Sequence, residues 1–246
     1  MKRVICNLAV FGVVIVCVGL ADLPGHPSKT NSVQASVISV PMDLEPGDQY
    51  RLVFLTFDRR YADSSNIEVY NGFVSNVAAM SVLGDLNTTW KAIGSTAMVD
   101  ARTNTGTDPF VSVGVPIYRL DGVRIANNNA DLWDGELLAP IITYETGLHP
   151  TGSPEVWTGT TVDGAAHVSE SLGNASTHRV RIGWSAASGW TWINSGARDY
   201  GYLFRFYAIS DVLTVVPEPT TAAMLGIGIN GVVLIALSRN HVRRRR

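Results

Sequence analysis

The chain has 246 residues, 46% of them hydrophobic and 16% charged, with a formal net charge of −2. That near-neutrality joins unlike parts: residues 36–216 carry 19 Asp and Glu against 11 Lys and Arg, a net −8, while both ends are basic. An acidic body speaks against nucleic acid as a partner, because that binding works by neutralising phosphates. Both cysteines, Cys6 and Cys17, lie near the N-terminus, so 36–216 has none for a disulfide, a thiolate nucleophile or a cysteine metal site.

In chain order, Met1-Lys2-Arg3 is followed by an apolar run over 4–20, broken only by Asn7 and glycines. Small residues then allow cleavage near Ala21 or Ala35. This pattern predicts a secretory signal peptide and leader over 1–35, with an uncleaved N-terminal anchor as the alternative. Residues 36–216, about 180 in number, suffice for one well-cored extracellular domain. All six tryptophans lie there, as packing anchors or, alternatively, as a platform for sugar. The acidic charge serves solubility or, through bridging cations, contact with an anionic polymer.

The apolar run QYRLVFLT at 49–56 predicts a largely buried strand. Ser65-Asn66-Ile67-Glu68 matches a capping box with Ser65 as the cap. Ile67, Tyr70, Phe73, Val74 and Val77 follow at helical spacing, so 66–80 reads as one amphipathic helix. Short strands are expected at 90–96 and 115–120, separated by Gly-rich or Asn-rich turns. Asn127, Asn128 and Asn129 cap a short turn or helix around 130–133. Residues 141–144, 156–157, 180–184, 191–193 and 203–215 read as the strands of the second half. One main helix, several short strands and long polar loops make a single α+β domain without disulfides.

After the body, Pro217 and Pro219 hold the chain extended around Glu218. Residues 221–237 are almost wholly apolar, about 17 residues, at the short end of what spans a bilayer. Arg239 and Arg243 to Arg246 follow and would stay on the cytoplasmic side, leaving the body outside. A buried C-terminal helix with a solvated basic tail is the alternative.

The order Val216-Pro217-Glu218-Pro219, apolar helix, terminal arginines resembles the PEP-CTERM sorting signal of exported bacterial proteins. That resemblance implies a sorting signal over 217–246, with Pro217, Glu218 and Pro219 recognised and cut by an exosortase. It also implies a Gram-negative-type cell that makes exopolysaccharide. Within the body, GVPIYRLDG, ADLWDGEL and ETGLHPTGSPEVWTGTTVDG are similar, in that order, to the endostatin-like branch of the C-type-lectin-like folds. The resemblance implies that fold over roughly residues 50–215. The family's usual disulfides have no counterpart here. The tripeptides Glu-Pro-Asn, Gln-Pro-Asp and Trp-Asn-Asp of calcium-dependent sugar binding are also missing, so that activity is not carried over.

Candidate chemistry is sparse. His149, His167 and His178 have no metal-ligand spacing and read as loop residues. Gly183-Trp184-Ser185-Ala186-Ala187 approaches a nucleophile elbow but ends in Ala, and reads better as a strand end and turn. Asp131, Asp134 and Glu136 could hold calcium, but they lack the loop order that binds it and fit helix-start acids better. The sequons at Asn87 and Asn174 carry no meaning in a bacterial setting. No catalytic residue, metal ligand or cofactor is therefore expected. The sequence reads as an exported, non-enzymatic surface or matrix protein, membrane-anchored before processing, that binds glycan or protein in an exopolysaccharide context. The alternative is a secreted hydrolase using paired carboxylates among Asp100, Asp131 and Asp134.

Overall fold

The computed structural model describes residues 41–216. The expected leader over 1–35 and the sorting tail over 217–246, with Pro217, Glu218 and Pro219, lie outside the described residues. In chain order, β1 (Gln49–Leu55) leads to α1 (Ile67–Ala79), a 3₁₀ turn at Val82–Leu86, β2 (Trp90–Ala92) and α2 (Ala101–Thr105). β3 (Ile117–Arg119), β4 (Arg124–Ala126), α3 (Asn129–Leu132) and, after a long loop, β5 (Glu155–Trp157) follow. β6 (Arg179–Trp184), a second 3₁₀ turn at Trp190–Trp192, β7 (Gly196–Asp199), β8 (Arg205–Ser210) and β9 (Leu213–Thr214) complete the order. This is a strand-rich α+β domain, without disulfides, in which α1 is the longest helix among the described residues. Among the described residues no helix is long and apolar enough to cross a membrane.

The strands form one mixed sheet in the order β4-β3-β1-β8-β5-β6-β7, with β2 also on β8 and β9 on β1. β8 organises it. One edge of β8 runs antiparallel to β1, with Val53 opposite Ile209 and Leu55 opposite Tyr207. The other edge is shared: residues 208–210 pair with β2, and Arg205 and Phe206 pair in parallel with β5. Both central strands are buried on both faces, which is why β1 reads as an unbroken apolar run rather than an alternating one.

Side chains alternate between two cores. Leu52, Phe54, Phe206 and Ala208 face the core that α1 covers with Tyr70, Val74 and Val77. Val53, Leu55, Tyr207 and Ile209 face a second core, covered by α3 and the irregular segments around Leu137, Ile141 and Trp192. Four of the six tryptophans, Trp90, Trp133, Trp157 and Trp192, are buried and act as packing anchors. Trp157 donates its indole N–H to Arg60 O at 3.1 Å, and Trp133 donates to Thr107 O at 3.1 Å.

β2 has no strand on its outer edge among the described residues. Two asparagine amides stand in for one. Ala92 N–H donates to Asn71 Oδ1 (3.0 Å) and Asn104 Nδ2 donates to Ala92 O (2.8 Å). Asn71 Nδ2 donates to Asn104 Oδ1 at 2.9 Å, and Asn104 Nδ2 donates in return to Asn71 Oδ1 at 2.9 Å. The pair therefore ties α1, α2 and β2 together with its buried polar groups partnered.

Several expectations need correcting. The cap of α1 is Asn66, not Ser65: Glu68 N–H donates to Asn66 Oδ1 at 3.0 Å, while the Asn66 N–H goes to Ser64 Oγ at 3.1 Å. Residues 191–193 are not a strand. They belong to a 3₁₀ turn that crosses β6 so closely that a Cβ on Gly183 would lie 1.8 Å from Trp192 O. Residues 141–144 contribute one bridge, Tyr144 to Leu55, before a turn closes with Gly147 N–H donating to Tyr144 O. The expected strand at 203–215 breaks after Ser210, whose Oγ accepts the Leu52 N–H at 2.9 Å in place of a main-chain carbonyl. α2, β4 and β7 were not foreseen.

Candidate functional site

Because β8 runs antiparallel to β1 and parallel to β5, the carboxyl end of β1 meets the amino ends of both. The chain beyond β1 stays tied there, with Thr56 N–H on Phe206 O (2.9 Å) and Arg60 bridged to Phe204. Residues 57–59 bulge outward between these anchors, leaving Phe57 55% exposed.

Arg205 points to the second core face, as the alternation of β8 requires, but at the very end of the sheet. It is only 7% exposed. Its guanidinium lies 4.7 Å from the Tyr144 ring centroid and 5.3 Å from that of Phe57, within cation–π range of both. Nη1 donates to Thr56 O at 2.9 Å and to Phe57 O. No carboxylate of the described residues lies within ion-pair distance, and Nε has no hydrogen-bond partner. Burial pulls the guanidinium below its usual proton affinity.

Glu145 stands beside it, also 7% exposed, and accepts the Phe57 N–H at 2.8 Å. Burial raises its proton affinity above the usual carboxylate value, against the pull of that hydrogen bond, and the charge of Asp58 adds to the rise.

Arg59, Pro154, Glu155, Phe204 and Arg205 line a cavity of about 150 Å³. Glu155 is occupied by Arg198, whose Nη2 donates to Oε1 at 2.5 Å. Phe204 packs on Trp157 at 4.7 Å and stacks almost parallel with Tyr202, centroids 6.0 Å apart. Tyr202 is 57% exposed and extends the aromatic face outward. Arg59 is exposed and has no ion pair among the described residues. Two arginines and one aromatic residue, Phe204, thus line one cavity from segments far apart in the chain.

The carboxylates singled out from the sequence serve local structure. Asp131 accepts from Asn127 N–H (2.6 Å) and Asn127 Nδ2 (2.9 Å) at the start of α3, where Asn128 is the cap. Asp134 accepts the Glu136 N–H at 2.9 Å. Asp100 accepts the Ala166 N–H at 2.8 Å and pairs with Arg102, which also meets Asp108 and Asp163. Among the described residues no group of three His, Cys, Asp or Glu side chains is placed to hold a metal ion.

The histidines are likewise dispersed. His149 contacts Thr143 Oγ1 at 3.2 Å and Asp121 at 3.5 Å. His167 Nε2 accepts from Arg181 at 2.9 Å, which puts the ring proton on Nδ1; burial first, and then the Arg181 charge, lowers its proton affinity. His178 takes a left-handed backbone (φ 55°) and packs on Tyr200. Ser185 follows the last residue of β6 in a turn, as the strand-end reading expects.

Arg205, Glu145, Arg59, Phe57 and Phe204 were missed in the sequence. The one available signal was the cluster Phe57-Asp58-Arg59-Arg60-Tyr61 directly after a buried strand, dense in arginine and aromatic side chains. No protein-family model matches the chain, and no curated protein matches it.

Proposed function

We propose that this chain is an exported cell-surface or extracellular-matrix protein whose body binds a glycan without catalysing a reaction. The observation that carries the binding reading is the cavity lined by Arg59, Arg205 and Phe204, with the exposed ring of Tyr202 stacked on Phe204. Aromatic faces pack against the apolar faces of sugar rings, and flanking charged groups bond the hydroxyls. The kinship with endostatin-like domains belongs to the same proposal, supported by the order of the Val-Pro-Ile strand, the Trp133 segment and the Val-Trp-x-Gly turn. The rival reading, a carboxylate-based hydrolase, has less behind it, since Asp100, Asp131 and Asp134 each spend an oxygen on a local N–H. A glycan array probed with the full chain in detergent tests the binding reading. Tyr202→Ala is expected to lose at least tenfold in affinity with an unchanged melting temperature. A chain that binds no glycan on the array overturns the reading.

The address is proposed on the tail alone. Pro217, Glu218 and Pro219 form a recognition tag for an exosortase-type enzyme, presented by the apolar helix over 221–237 and held by the terminal arginines. Replacing the three residues by alanine leaves export intact and abolishes trimming, read by mass spectrometry of the C-terminus in the native host. Trimming of the triple-alanine chain at the normal rate refutes it.

A further inference from the structure

Arginine holds a carboxylate best side-on, through Nε and Nη2 together, because those two N–H groups point the same way at carboxylate spacing. Among the described residues one such fork is in use. Arg119 donates from Nε to Asp121 Oδ1 at 3.0 Å and from Nη2 to Asp121 Oδ2 at 2.6 Å.

Arg205 has the same fork with nothing in it. Its inward Nη1 is committed to Thr56 O and Phe57 O, which fixes the plane of the guanidinium. The Tyr144 and Phe57 rings both lie within cation–π range of it, on one side, with their centroids 5.3 Å apart. Nε has no partner, and Nη2 donates to no atom of the described residues. A buried cation with an unfilled donor is costly, since the lost water contacts go unreplaced. Nearby acids do not fill it: Glu155 is taken by Arg198, and Glu145 by the Phe57 N–H. Arg59, the other cation of the cavity, makes no ion pair with the described residues.

We propose that the cavity lined by Arg59, Pro154, Glu155, Phe204 and Arg205 takes the carboxylate of an acidic sugar unit, a uronate within a polysaccharide, with Arg205 and Arg59 as its two cationic contacts. The assignment rests on the glycan-binding reading and names its ligand class. At about 150 Å³ the cavity is smaller than the roughly 300–1,000 Å³ of pockets that enclose drug-sized ligands. It suits one charged substituent with part of its ring, while the rest of the polymer lies along Phe204 and Tyr202. The net −8 of residues 36–216 makes diffuse attraction of a polyanion unfavourable, so binding has to come from this local arrangement.

Calorimetric titration of the full chain in detergent with polygalacturonate tests the assignment, with its fully methyl-esterified form and dextran sulfate as comparisons. The ester keeps the sugar and removes the charge. The acid form is expected to bind at least tenfold more tightly than either comparison. Arg59→Gln, at an exposed position, is expected to cost a further tenfold with no change in melting temperature. Arg205→Lys keeps the charge but removes the fork, and is expected to cost as much. Equal binding of acid and ester overturns the carboxylate assignment and leaves the glycan reading standing. Equal binding of dextran sulfate reduces the site to a general polyanion contact and also overturns it. Undiminished binding by Arg59→Gln shows that the carboxylate sits elsewhere. Failure of all three polymers overturns the assignment, and the glycan array then separates its fall from that of the broader reading.

Discussion

Asn71→Ala probes the amide pair that closes the outer edge of β2. The substitution removes the partner of the Ala92 N–H and the partner of Asn104 Oδ1, both buried, and leaves Asn104 Nδ2 with one of its two bonds, that to Ala92 O. Each stranded group costs about 1–3 kcal/mol, because it gave up water on folding and receives nothing in return. Two of them set the expected loss at about 4 kcal/mol. For a domain of this size that lowers the melting temperature by about 10 °C. Urea unfolding followed by tryptophan fluorescence measures it, with buried Trp90 in β2 as a local reporter. Asn104→Ala completes a double-mutant cycle. The two changes are expected to fall short of additive by about 1–2 kcal/mol, since the second removes a group that the first had already stranded. A loss under about 1 kcal/mol for Asn71→Ala, or strict additivity, refutes the idea that the amides act as a substitute strand.

Glu145 gives a pH test. Its folded proton affinity is raised above the ordinary carboxylate value of 4.5, so its contribution is full below that pH and is lost as pH rises through the folded value. Stability of the wild type relative to Glu145→Gln should therefore fall as pH rises above the ordinary carboxylate value, and parallel stability curves would remove burial as the cause. Gly183→Ala should cost about 3 kcal/mol or more, because the new Cβ would lie 1.8 Å from Trp192 O, a backbone atom that cannot swing away. Gly189→Ala, with no atom within 4 Å of its Cβ, serves as control and should stay within about 0.5 kcal/mol. Similar losses at both glycines would mean that the crossing over β6 is looser than described.

What could be read ahead of the structure follows from how local each signal is. β1 and α1 announce themselves because a doubly buried strand and a one-sided helix leave patterns within one short window. The α1 cap shifted by one residue because Ser65 and Asn66 can both accept an N–H, and only the turn of the backbone decides between them. The error at 191–193 has a different origin. Trp190-Thr191-Trp192 alternates like a strand, but the bare backbone of Gly183 lets this segment cross β6 as a tight turn. α2, Ala101–Thr105, carries too few apolar residues to show a period, and its buried Asn104 has meaning only opposite Asn71. The cleft is harder still. Thr56 to Arg60, Tyr144, Glu145, Pro154, Glu155, Phe204 and Arg205 meet only because β1, β5 and β8 end together, and no spacing along the chain records that.

The shared edge of β8 bears on when this protein can fold. Without residues 205–210 the sheet falls into two groups, β4-β3-β1 with β9 and β5-β6-β7, that share no strand, and β2 loses its one strand partner among the described residues. The joining contacts close some of the longest loops in the body: Leu52 meets Ser210 across 158 residues. Such closures carry their entropic cost before any contact repays it, which slows the search for the native pairing. During synthesis, then, nearly the whole body must emerge before its central strand exists to be paired. A ribosome-bound or prematurely ended chain that lacks β8 cannot close the sheet. The late position of one six-residue strand therefore sets the point in synthesis before which the sheet cannot assemble.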